Sequence, residues 1–148
     1  MTNSGALIRR CHQISVAIFL EETAGHDVSP SQYAALTIVA ADPGIDQTTL
    51  MERSALDRSS VTSCVERLEG RGLLLREVDP QDRRVRRLRT TPEGQRLLED
   101  VEGAVDRAQR RVVEPLGDRA GDFLAMLREV VEANNAASRV PVKRERGG

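Results

Sequence analysis

Apolar residues recur at helical spacing along most of this chain, and one stretch near the middle breaks the rhythm. Leu7, Cys11, Ile14 and Ile18 form a stripe that Ile8, Ala17 and Phe19 widen, which predicts a first helix from about Ala6 to Glu22. Gly25 to Val28 read as a loop. Ser29-Pro30-Ser31-Gln32 then supplies an N-cap serine, a proline at the first helical position and a glutamine at the third. The second helix runs to about Ala41, with Tyr33, Leu36 and Val39 or Ala40 inward, and Asp42-Pro43-Gly44 stops it. Asp46 caps a short third helix through Ser54. After the turn at Ala55-Leu56, Asp57 caps a fourth, which Gly70 and Gly72 end.

The fourth helix is the first place where chemistry enters. Val61, Cys64, Val65 and Leu68 sit at i, i+3, i+4 and i+7, so one stripe is buried. At about 100° per residue the opposite face carries Ser59, Thr62, Ser63, Glu66 and Arg67, with Ser60 at its border. A helix that enters the major groove needs short side chains for close approach and a few hydrogen-bonding groups. The serines and Thr62 provide both, and Arg67 can reach a guanine edge or a phosphate. Glu66 on the same face would repel phosphate unless it pairs with an arginine or accepts from a cytosine amino group.

Past that helix the period changes. Leu73 to Val78 and Arg84 to Arg89 read as paired strands, with Asp79-Pro80-Gln81-Asp82 in the turn. Five of the seven residues from Arg83 to Arg89 are arginine, with no acid among them. A protective edge hairpin mixes signs; this one is suited to a polyanion. Asp82 can hold one arginine by a bidentate pair and leave others for the minor groove and backbone. Thr91-Pro92 starts a long fifth helix with Leu97, Val101, Ala104 or Val105, Ala108 and Val112 inward, and Pro115 and Gly117 interrupt it. A last helix capped by Asp118 carries Phe123, Leu124, Leu127, Val130 and Val131. Residues 138–148 are expected to be a disordered basic tail.

Composition sharpens this picture. The 148 residues suffice for one core, which must come from Leu, Val, Ile and Ala because Phe19, Tyr33 and Phe123 are the only aromatics. Net charge is −1, yet residues 53–89 hold ten Arg against six Asp and Glu, a local balance of +4 that leaves −5 for the rest. A basic patch on an acidic molecule can bind DNA while the remainder stays soluble. No apolar run approaches the ~20 residues of a membrane span, no secretory leader opens the chain, and Cys11 and Cys64 are too few for a disulfide framework. The expected location is the cytoplasm. A nucleophile elbow, a phosphate-binding glycine loop and an H-E-x-x-H motif are all missing, so the expectation is no enzyme. With two His and two Cys, a closed zinc site of about four ligands is not expected, nor is any cofactor.

Two stretches carry a family resemblance. Asp82-Arg83-Arg84 followed by Leu88-Arg89-Thr90-Thr91-Pro92-Glu93-Gly94 resembles the D-x-R wing and L-x-L-T-x-x-G exit of the MarR-type transcriptional regulators. Leu68-Glu69-Gly70-Arg71-Gly72-Leu73 resembles their L-x-x-x-G-L helix end, while Arg89-Thr90 stands where a leucine–threonine pair is more usual. The likeness covers roughly residues 6 to 132. It implies a mainly α fold with a small β-hairpin wing, a winged helix-turn-helix whose terminal helices form a dimerisation domain. On that basis residues 1–28 and 92–137 form the dimerisation region, and 29–91 the DNA-binding region. A homodimer would read a pseudo-palindrome with half-sites about one helical turn apart. The expected contacts to double-stranded DNA are Ser59, Ser60, Thr62, Ser63, Arg67, Arg83, Arg84 and Arg86.

The resemblance also implies a repressor released by a small molecule bound between the dimer helices and the winged region. That crevice maps to Arg10, His12, Ser15 and Phe19 of the first helix and to Tyr33 and Leu36 of the second. Arg9-Arg10-Cys11-His12-Gln13-Ile14 with Ile18-Phe19, and Pro43-Gly44-Ile45-Asp46-Gln47, look similar to regulators of aromatic-acid catabolism. An aromatic acid or its CoA thioester, such as a hydroxycinnamoyl-CoA, is the expected effector. A cysteine-based redox sensor using Cys11, flanked by Arg9, Arg10 and His12, is the alternative, although Cys11 also belongs to the apolar stripe, where a thiol is inert. From another class, a helical protein-interaction module would leave the arginine hairpin without a role.

Overall fold

In the computed structural model, residues 3–146 are described, with side chains for 3–137. The tail expected beyond Ser138 lies outside the residues described with side chains. The order is α1 (Ser4–Glu22), α2 (Pro30–Ala41), α3 (Gln47–Ser54), α4 (Arg58–Gly70), β1 (Leu74–Val78), β2 (Arg86–Thr90), α5 (Pro92–Val113), a 3-10 segment (Glu114–Arg119) and α6 (Ala120–Arg146). This is a mainly α winged helix-turn-helix. The chain divides into two compact units, 1–109 and 110–148.

Side-chain caps start the helices where the sequence places them. Ser29 and Gln32 close a reciprocal capping box at α2, the Gln32 amide donating to Ser29 Oγ over 3.1 Å and the Ser29 amide to Gln32 Oε1 over 3.2 Å. Asp46 accepts the Thr49 amide at 2.7 Å for α3, and Asp57 accepts the Ser60 amide at 2.8 Å for α4. Each such cap stabilises its helix by about 1 kcal/mol. Between α3 and α4 the chain turns at Ala55, which adopts a left-handed φ of 59°.

The first unit holds one core under the helix-turn-helix. Leu36 and Val39 of α2, Leu50 of α3, Val61, Val65 and Leu68 of α4, Leu74 of β1 and Leu88 of β2 meet in it. Burying each of these stabilises by roughly 1.5–3 kcal/mol against an extended chain. A smaller cluster joins Phe19 of α1, Val28, and Val101 and Val105 of α5, with Tyr33 and Leu97 packed against it. The two strands pair antiparallel, Leu74 opposite Thr90 and Val78 opposite Arg86. Gly44 and Ile45 add a third rung on the outer edge of β2, since the Gly44 amide donates to the Leu88 carbonyl at 2.8 Å and the Leu88 amide to the Ile45 carbonyl at 2.9 Å.

Several boundaries differ from the pattern-based expectation: β1 starts at Leu74 rather than Leu73, β2 ends at Thr90 rather than Arg89, and two larger shifts have a local cause. The second strand begins at Arg86 rather than Arg84, because the tip closes on itself: the Asp79 amide donates to the Val85 carbonyl and the Val85 amide to the Asp82 carbonyl, both at 3.0 Å. In the second unit, Asp118 lies inside the 3-10 segment and α6 starts at Ala120. Gly117, at φ 55° and ψ −127°, breaks the helical path just before Asp118 and moves the start downstream. None of the described residues of α6 is buried within the chain, and Leu124, Met126, Leu127, Val130 and Val131 are all exposed.

Candidate nucleic-acid interface

On α4 the amphipathic split is complete. Val61, Cys64, Val65 and Leu68 are buried, while Ser59, Ser63, Glu66 and Arg67 are exposed and Ser60 and Thr62 are half-buried. The small polar face is therefore available to an outside partner. The cap engages part of it: Ser59 Oγ donates to Asp57 Oδ1 at 2.8 Å and Ser60 Oγ to Asp57 Oδ2 at 3.1 Å. Thr62 Oγ1 accepts from Gln47 Nε2 at 3.4 Å, which ties α3 to α4. No ion pair or hydrogen bond from the Ser63, Glu66 or Arg67 side chain occurs among the described residues. Clefts flank the helix on both sides. One of about 540 Å³ separates it from the start of α2 at Ser29, Ser31 and Gln32. Another of about 460 Å³ separates it from the hairpin at Arg84, Val85 and Arg86. A ridge between two grooves is the shape that seats in a duplex groove.

Beside it stands the hairpin tip. Arg84 forks onto Asp82, Nε to Oδ1 at 3.2 Å and Nη2 to Oδ2 at 3.4 Å, so the expected bidentate pair is present. Arg86 donates through Nη1 to the Arg83 carbonyl oxygen. Among the described residues no carboxylate lies within 4.0 Å of Arg83, Arg86 or Arg89. Arg87 behaves differently. Its guanidinium turns inward, to Asp79 Oδ2 at 3.0 Å and to the Gly44 carbonyl at 3.3 Å. The run of five cations is thus three arginines without an acid partner among the described residues, one of them (Arg86) held on the Arg83 carbonyl, one oriented by Asp82 and one committed to structure.

Four carboxylates around this surface are held below their ordinary pKa. For Asp57 the causes are the Ser60 amide and then the Ser59 and Ser60 hydroxyls. Burial pushes Asp46 up, but the Thr49 amide and hydroxyl and the Arg87 charge together outweigh it. The Gln81 amide and Arg87 lower Asp79, and the Arg84 guanidinium and amide lower Asp82. Charged acids hold each turn in shape. Burial raises the Cys64 thiol on the inner side of α4, and the Arg67 charge offsets only part of that rise.

The residues mapped to an effector crevice are only partly brought together. Phe19 and Tyr33 meet with ring centroids 5.9 Å apart at 55°. Ser15 and His12 share that face of α1, and Ser15 Oγ donates to the His12 carbonyl at 2.9 Å. Arg10 precedes Phe19 by nine positions, which at about 100° per residue puts it half a turn away; its Nη1 donates to Gln13 Oε1 at 3.2 Å. Leu36 is fully buried in the larger core. Cys11 is exposed on the single chain. Sequence reasoning missed Ser31 and Gln32, which line the cleft beside α4. The Ser-Pro-Ser helix start was a visible signal that N–H groups converge there.

The model of the MarR family matches residues 28–85, the segment from α2 to the wing tip. A structure of the PcaV transcriptional regulator from Streptomyces coelicolor in complex with its natural ligand is 38% identical. It covers 89% of this chain and 94% of that one, with a TM-score of 0.81. The chain belongs to the MarR family. MarR-family proteins of this kind are transcriptional regulators, not enzymes. Two further members are informative. The repressor CouR bound to a 23-mer DNA duplex is 30% identical over 86% of this chain and 92% of that one, with a TM-score of 0.80. The putative transcriptional regulatory protein for the hcr operon of Thauera aromatica is 34% identical over 109 residues, 73% of this chain and 66% of that protein.

Proposed function

We propose that this MarR-family regulator is a homodimeric repressor that seats α4 in the major groove of a pseudo-palindromic operator. Ser59, Ser60, Thr62, Ser63 and Arg67 face the bases, and Arg83, Arg84 and Arg86 lie along the adjacent backbone or minor groove. The observation that carries this reading is the small polar face of α4, exposed at Ser59, Ser63 and Arg67, beside hairpin arginines of which Arg83 and Arg84 are exposed and Arg83 and Arg86 have no acid partner among the described residues. Phosphate contacts supply affinity and the helix supplies sequence. Residues 1–28 and 92–137 provide the dimer. In support, α1 buries only Phe19 within its own chain and leaves Leu7, Ile8, Ile14 and Leu20 exposed, an apolar surface that calls for a partner.

The effector in this proposal is an aromatic acid or its CoA thioester. The Phe19–Tyr33 pair takes the ring edge-on or stacked, and His12, or Arg10 from the far side of α1, meets the acid group or the CoA phosphates. The experiment is a mobility shift with a duplex that the protein selects from a random-sequence pool. Hydroxycinnamates, benzoates and their CoA thioesters are then titrated into the complex. Release by one class and not by acetate or acetyl-CoA supports the effector assignment. No release by any of them removes the effector assignment, and no shift at low salt removes the DNA assignment.

A further inference from the structure

The hairpin carries two acid–arginine pairs of different kinds. Asp82 and Arg84 are two residues apart at the tip, and the Arg84 side chain is 90% exposed. Asp79 and Arg87 face each other across the hairpin, and Arg87 also reaches out of it. Its Nε and Nη2 each lie 3.0 Å from Asp79 Oδ2, its Nη1 donates to the Gly44 carbonyl at 3.3 Å, and the same nitrogen stands 4.0 Å from Asp46 Oδ2. All three guanidinium nitrogens therefore point at the protein. Asp46 is the cap of α3, and a backbone bridge already pairs it with Arg87. One planar cation thus links the hairpin tip, the loop before α3 and the end of α3 that ties to α4 through Gln47. Leu74 and Leu88 anchor the base of the ribbon in the core and the Gly44–Ile45 backbone pairs with its edge at Leu88, so the part left for Arg87 to hold is the tip beyond them.

We infer that Arg87 is a positioning residue for the duplex-binding surface. It contacts no phosphate; through Asp79, Gly44 and Asp46 it fixes the angle of the tip against α3 and α4. With the angle fixed, Arg83, Arg84 and Arg86 meet the backbone at the moment α4 seats. The inference rests on the reading of this surface as a DNA interface. It also makes Asp79 an acid that helps bind a polyanion, which direct electrostatics alone would forbid.

The test is duplex affinity as a function of salt for the wild type, Asp79→Asn, Arg87→Leu and the double variant, using a duplex the wild type selects from a random-sequence pool. Asp79→Asn removes a negative charge near DNA, so a merely electrostatic role predicts tighter binding. The positioning role predicts binding weaker by about tenfold. It also predicts a flatter dependence of log affinity on log salt, although no cation is lost. Arg87→Leu should weaken binding to a similar extent, and the double variant no more than the weaker single one. A role confined to folding would lower the unfolding midpoint and leave the salt slope of the folded protein unchanged, which overturns the inference. So does unchanged or tighter binding by Asp79→Asn. If Arg87→Leu does not fold, Arg87→Lys replaces it: the compact ammonium cannot span Asp79 and Gly44, so weaker binding with a flatter slope supports the inference and wild-type behaviour overturns it. A wild type that binds no duplex overturns the DNA reading itself, whereas a binding wild type with an indifferent Asp79→Asn overturns this inference alone.

Discussion

Thr91 Oγ1 donates to the Gly72 carbonyl over 2.6 Å, and the same oxygen accepts the Gly94 amide at 3.0 Å. The Thr91 amide donates to the Leu73 carbonyl at 3.1 Å. This one residue ends β2, caps α5 and secures the turn between α4 and β1. The threonine and glycine of the wing exit are therefore joined by a physical reason as well as by spacing. Thr91→Val keeps the shape and removes the hydroxyl, leaving the buried Gly94 N–H without its partner. The expected loss is about 1–2 kcal/mol in urea unfolding, and an unchanged midpoint would refute the role.

Gly94 tolerates even less. A β-carbon there would lie 2.2 Å from the backbone carbonyl oxygen of Leu73, which cannot swing aside as a side chain can. Gly94→Ala should push α5 off the base of the hairpin and cost about 3 kcal/mol or more. The same urea series measures it, and a loss below that of Thr91→Val contradicts the packing argument.

Much of this was legible in the chain. Helix starts followed from Ser29, Asp46 and Asp57, whose short polar side chains cap locally and so leave their mark in local sequence. The buried stripe of α4 followed from a single period. The inward turn of Arg87 was not legible, because its partners Gly44 and Asp46 lie some forty residues away in sequence. Nor was the start of β2, which the Asp82–Arg84 pair delays by folding the tip. The mapped crevice was legible only in part. Phe19 and Tyr33 meet through a tertiary contact between α1 and α2, and the helical phase that separates Arg10 from Phe19 is visible only when the turns are counted.

Acid should loosen the helix caps beside this surface. Asp46 and Asp57 have folded pKa values below their unfolded ones, so their stabilisation is fully present above the unfolded value of about 3.9. It is lost as pH falls through the folded value. Thermal midpoints should therefore decline below about pH 4. Asp57→Asn, which still caps, should show a shallower decline with little change at neutral pH. An equal slope for both proteins would show that Asp57 is not among the groups responsible.

The exposed apolar side of α1 gives the assembly prediction. Leu7 and Ile14 lie seven positions apart on one face, and each is about half exposed in the single chain. If the proposed dimer packs through this side, the wild type should scatter light as a dimer and Ile14→Glu as a monomer, with sharply weaker duplex binding while circular dichroism stays helical. A dimer that survives this change would place the partner surface elsewhere.

Base discrimination should follow Arg67. Arg67→Ala should relax preference at one position in each half-site, worth about 1–3 kcal/mol if the arginine reads a base edge. A selection profile with that position unchanged would make Arg67 a backbone contact.

The most direct measurement is the salt dependence of duplex affinity, comparing the wild type with an Arg83→Ala, Arg86→Ala double variant. If these guanidinium groups neutralise phosphates, log affinity falls steeply and linearly with log salt, and the variant is flatter by roughly 0.9 for each lost contact. Superimposable slopes for the two proteins would contradict the account.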